Sequence, residues 1–149
     1  MRFNRSVLTG AAIVALAVAG TTALAGPASA APNTTPQKVC GSAYKTVNSA
    51  PIGSLGTVYL TYNSANGKNC VTTIRKNTGT AVDVSAYLNV ADTNAYADDY
   101  GTYTSYAGPV TLIGKGHCVN WGGHIDNVYV NVNNTNCASL KERRVTTVR

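Results

Sequence analysis

Val82-Asp83-Val84-Ser85-Ala86-Tyr87-Leu88-Asn89-Val90 alternates apolar and polar side chains without a break. Successive side chains of a strand point to opposite faces, so Val82, Val84, Ala86, Leu88 and Val90 share one face and Asp83, Ser85, Tyr87 and Asn89 the other. The pattern predicts a half-buried strand with the aliphatic face in a core. The same period recurs on both sides. Residues 57–62 set Val58, Leu60 and Tyr62 against Thr57, Tyr59 and Thr61, and further on Val128, Val130 and Val132 alternate with Asn127, Tyr129, Asn131 and Asn133. Asn66-Gly67 is a hairpin signal, because a tight two-residue turn needs positive φ, and residues 70–75 are expected to return as the partner strand.

Residues 110–113 and 118–121 are further short strands, set between Gly114, Gly116 and the pair Gly122-Gly123, which read as turns or bulges. Residues 138–144 suit one helical turn and 145–148 a closing edge strand. About eight short strands with almost no helical periodicity predict an all-β domain, an antiparallel β-sandwich with a small barrel as the alternative.

The first thirty residues read differently. Arg2 and Arg5 precede an uncharged apolar run over 7–25, and Ala28-Ser29-Ala30 is a small-residue cleavage site, so residues 1–30 are expected to be a secretory signal peptide. Residues 31–39, with Pro32 and Pro36, then form a flexible leader, and 40–149 a single β-domain. Past the signal, ten Lys and Arg remain against six Asp and Glu, a net of +4, and neither Met nor Phe is left. The aromatic side chains are nine Tyr and Trp121, a core anchor. No second apolar run approaches the roughly 20 residues that span a bilayer, so no membrane anchor is expected. The basic cluster of Lys141, Arg143, Arg144 and Arg149 is short and reads as a solvated terminus, which argues against nucleic acid as a partner.

Cys40, Cys70, Cys118 and Cys137 are four thiols in an exported domain, where disulfides are the expected state. Three pairings are open. Cys40 with Cys70 and Cys118 with Cys137 is favoured, because a meandering sheet brings each pair together. No C-x-x-C spacing supports a metal, and Asp92, Asp98 and Asp99 lack the spacing of a calcium loop, so neither metal nor cofactor is expected.

Catalytic residues are not expected either. His124 and Asp126 are two apart and can share a strand face, but no nucleophile is marked beside them and no G-x-S-x-G elbow occurs. They read as polar residues of a turn after Gly122-Gly123. The candidate binding surface is Tyr96, Tyr100, Tyr103 and Tyr106, four tyrosines within eleven residues. Tyrosine offers a flat apolar ring and a hydroxyl at small entropic cost, and sugars and proteins both stack on it. In a domain without Phe, several of the four must also serve the core, and Tyr103 and Tyr106, an odd step apart, would point to opposite faces of one strand.

The run 47–53 (Val-Asn-Ser-Ala-Pro-Ile-Gly), Gly56 to Asn63, Gly67-Lys68-Asn69-Cys70, residues 103–109, Gly114-Lys115-Gly116 with Cys118, Trp121-Gly122-Gly123 and Arg144-Val145-Thr146 together resemble the spore-associated protein A family of filamentous, spore-forming actinobacteria. The resemblance covers most of the chain from Cys40 onward. It implies a small exported protein found with spores or aerial growth, and no activity, cofactor or catalytic residue. The expected function is therefore a secreted, non-catalytic structural or interaction protein of the spore or hyphal surface. The alternatives are a binding module for extracellular or cell-wall polysaccharide, and a small secreted protease inhibitor.

Overall fold

The computed structural model describes residues 33–137. The expected signal peptide, the helical turn at 138–144, the edge strand at 145–148 and the basic cluster lie outside the described residues. Eight strands form two four-stranded antiparallel sheets. The first sheet orders β1 (Lys45–Ile52), β2 (Gly56–Asn63), β3 (Lys68–Arg75) and β6 (Tyr106–Ile113). The second runs β5 (Tyr96–Tyr103), β4 (Val82–Val90), β7 (Val119–Ile125) and β8 (Val128–Thr135). This is the expected sandwich; the sheets do not close into a barrel.

The core follows from the period-two pattern. Val84, Ala86, Leu88 and Val90 of β4 are buried and face Val58 and Leu60 of β2 and Val71 of β3. Each such side chain contributes about 1.5–3 kcal/mol for leaving water. Trp121 is fully buried, and its indole N–H donates to Thr135 Oγ1 at 2.8 Å. The β2–β3 turn takes in residues 64–67, with Gly67 at φ 69° and Asn66 outside the positive-φ region.

The structure departs from the sequence reading at three places. Residues 36–39, expected within the leader, form a helical turn with Cys40, α1 (Pro36–Cys40), with Thr35 as N-cap and Pro36 in the first turn, where its missing N–H costs nothing. Gly122 and Gly123 are interior residues of β7 rather than a turn. Tyr103 and Tyr106 do not share a strand. They end β5 and begin β6, on either side of Thr104-Ser105, where the chain crosses from the second sheet to the first.

That crossing is fastened by side chains. Asp99, on the inner side of β5, accepts the Tyr103 hydroxyl at 2.7 Å and the Gly108 N–H of β6 at 2.6 Å. Arg75 donates to the carbonyls of Thr80, Tyr103 and Thr104 at 2.8–3.0 Å. Both disulfides have the favoured pairing: Cys40–Cys70 ties α1 to β3, and Cys118–Cys137 closes the open end of the β7–β8 hairpin. Through the first bridge α1 lies against the first sheet, which explains why Thr61 and Thr72 are fully buried there although they point away from the core. No described element packs on the outer side of the second sheet.

Candidate functional site: the open face of the second sheet

Strand register arranges this face in rows. Ser85 pairs with Tyr100 on one side and His124 on the other, and His124 pairs with Tyr129, so Tyr100, Ser85, His124 and Tyr129 form one row across all four strands. Ser85 is small enough to let the Tyr100 ring reach the imidazole. Their centroids are 5.5 Å apart, and the His124–Tyr129 centroids 4.7 Å. Both spacings fall in the range of favourable aromatic contact. Ser85 Oγ lies 2.6 Å from His124 Nδ1 and also accepts the His124 backbone N–H at 3.2 Å. His124 is only 9 % exposed, whereas Tyr100 and Tyr129 are 61 % and 65 % exposed.

The next row holds Asp98, Tyr87, Gly122 and Asn131. Gly122 is required here: a Cβ would run into the Val130 carbonyl oxygen and come within 2.7 Å of the Tyr87 ring. Without it, Tyr87 lies across β7 and its hydroxyl donates to Asn131 Oδ1 at 3.1 Å. Tyr96, 58 % exposed, stacks on Tyr87 at 6.4 Å with an interplanar angle of 22°. Beside them Asn120 donates to Asn89 Oδ1 at 2.9 Å and accepts the Asn134 N–H at 2.8 Å.

Electrostatics separate the two sheets. The described cations are Lys38 on α1, Lys45 on β1, Lys68 and Arg75 on β3, Lys76 just after it and Lys115 in the β6–β7 loop. None lies on a strand of the second sheet, which instead carries Asp83, Asp98 and Asp99, with Asp126 in its β7–β8 turn. The Asp83 carboxylate, which accepts the Thr102 hydroxyl at 3.3 Å, holds the nearby Tyr100 phenol above its ordinary range. Burial, reinforced by Asp98, raises Tyr96; burial and Tyr96 raise Tyr87.

Of the four tyrosines marked in the sequence, Tyr96 and Tyr100 stand on this face, four residues apart and therefore on the same side of β5. Tyr103 points inward and packs against the core, and Tyr106 belongs to the first sheet. Tyr87, Tyr129 and His124 complete the cluster. Tyr87 and Tyr129 were already legible as polar-side positions of alternating strands; their meeting with β5 was not. Asp126 is in the turn at φ 52°, its N–H bonded to the Asp83 carbonyl at 2.7 Å, and no hydrogen bond joins its carboxylate to His124. The acidic residues also disperse. Asp98 and Asp99 occupy opposite sides of β5, and Asp92 pairs with His117 at 2.8 Å. Elsewhere, a cleft of about 660 Å³ at the end of the sandwich lies between Val47, Tyr62, Asn69 and Lys115, and among the described residues none of its lining is a carboxylate or an imidazole.

Neither a family model nor a solved structure matches the chain. It is similar to spore-associated protein A of Streptomyces coelicolor, with 47 % identity over 135 residues that cover 91 % of this chain and 88 % of the relative. Identity at that level over nearly the whole of both chains shows the family: the protein belongs to the spore-associated protein A family.

Proposed function

We propose that the protein is an exported, non-catalytic interaction protein of the spore or hyphal surface, and that the open face of the second sheet is its contact surface. One observation carries this reading: Tyr96, Tyr100 and Tyr129 are held largely exposed around Tyr87 and a buried His124, on a sheet face that no described element covers. Isolated exposed apolar residues need no explanation, but a contiguous, ordered ring cluster marks an interaction site. The relative's name supports the spore as the place. The Ser85 hydroxyl, held between the imidazole and the backbone N–H of the same residue, with no third group hydrogen-bonded to the imidazole among the described residues, supports a non-catalytic role.

Cosedimentation of the oxidised protein, starting at residue 31, with washed spores and with vegetative cell walls tests the reading. Saturable retention on spores is expected, with loss of retention in the double variant Tyr100→Ala, Tyr129→Ala. Retention of that variant at wild-type level would remove the face from the proposal. A protein that stayed in the supernatant throughout would overturn the surface role and bring stoichiometric protease inhibition forward.

A further inference from the structure

We infer that the open face binds a polysaccharide that carries free amines, an inference that rests on reading this face as the contact surface. Stacked phenol rings accept the C–H faces of pyranose rings whatever their substituents, and the Asn89–Asn120 pair and Asn131 supply amides for hydroxyl groups. Charge is what selects among glycans. An anionic wall polymer would meet no cation on any strand of this sheet and would face the exposed carboxylates of Asp83 and Asp98. An ammonium group meets the opposite situation: Asp98 stands two residues from Tyr96 on the same side of β5, and Asp83 one side-chain row from Ser85, the partner of Tyr100, so a cation on either ring face is attracted by ring and carboxylate together.

The register also sets the size of the ligand. Asp83 pairs with Thr102 and Asp98 with Tyr87, so the two carboxylates stand two side-chain rows apart along β4 and one strand across. At about 3.4 Å per residue and about 4.8 Å between strands, that is roughly 14 Å, too far for one sugar and suited to an extended oligomer. A single amino sugar can satisfy one carboxylate only, and the gain from a second contact comes with chain length.

Calorimetric titration with hexamers of glucosamine, N-acetylglucosamine and glucose, and with monomeric glucosamine, decides the matter. The glucosamine hexamer should bind about tenfold more tightly than its acetylated counterpart, the monomer should give no measurable heat, and Asp83→Asn and Asp98→Asn should each weaken the hexamer about threefold, as for exposed ion pairs. The hexamer should also release the protein from spores. Both Asp residues are exposed, so these variants should keep the wild-type melting point. Equal or tighter binding of the acetylated or glucose hexamer would overturn the amine inference and leave the contact face standing. So would Tyr-dependent retention on spores that no hexamer disturbs, or self-association without glycan that the Asp variants abolish. Retention independent of Tyr100 and Tyr129 would instead remove the face itself.

Discussion

Ser85 and His124 are joined by a 2.6 Å hydrogen bond on the open face of a sheet, and that bond fixes the imidazole that Tyr100 and Tyr129 flank. Removing the hydroxyl would take away the described partner of Nδ1, while the His124 N–H stays in the β4–β7 ladder, where Ser85 and His124 are paired. Ser85→Ala is expected to cost about 1–2 kcal/mol of stability by urea denaturation. A loss within error would mean that the imidazole is held by ring packing alone.

Val84 and Asp83 are neighbours in sequence with opposite fates, one fully buried and one exposed. Val84→Asp places an unpaired carboxylate in the core and should destabilise the domain by more than about 3 kcal/mol, or prevent folding. Asp83→Ala should stay within about 0.5 kcal/mol. Equal effects in thermal melts would contradict the assigned strand faces.

The bridges close loops with sequence separations of 30 and 19 residues. In the chain-entropy account each stabilises the fold by about 3–4 kcal/mol, a large share for a domain of this size. Complete reduction should therefore unfold the protein in mild denaturant. An unchanged circular-dichroism spectrum and melting point would show that the sheets hold without them.

Tyr87, Tyr96, Tyr100 and Tyr103 all have phenols raised above the usual value of 10.0. A group whose folded pKa is raised stabilises the fold while protonated. That contribution is complete below the unfolded value near pH 10 and is lost as pH rises through the folded one. Alkaline titration by ultraviolet difference spectroscopy should place part of the native tyrosine transition above that of the denatured chain. Asp83→Asn should bring one phenol back, since Asp83 is the largest cause at Tyr100. Coincident native and denatured curves would contradict these environments.

Alternation alone made β4, β8 and β2 legible, because each has one aliphatic and one polar side, whereas β3 was legible from the Asn66-Gly67 turn signal before it. β5 was hidden. It is an edge strand with Asp98 and Asp99 adjacent, and the inward one is accepted only because Tyr103 and Gly108 lie across from it. Gly122-Gly123 misled for a similar reason, as the space those residues leave is filled by Tyr87 and by Thr73 and Ser85 from other strands. The helical turn at Pro36, in contrast, had a readable signal in Thr35 followed by Pro at the first position. The candidate site drew two tyrosines from the marked stretch, Tyr87 from β4 just before it, and His124 and Tyr129 from β7 and β8 much later in the chain, which only sheet order could bring alongside.

Among the described elements α1 covers one sheet and none covers the other, which gives the described domain a front and a back. The described cations all lie off the second sheet, and Lys38 is exposed on α1, on the covered side. A particle that wore a single layer of this protein, attached through its phenol-bearing side, would turn its ammonium groups to the medium. Its electrophoretic mobility would shift toward the positive with coverage.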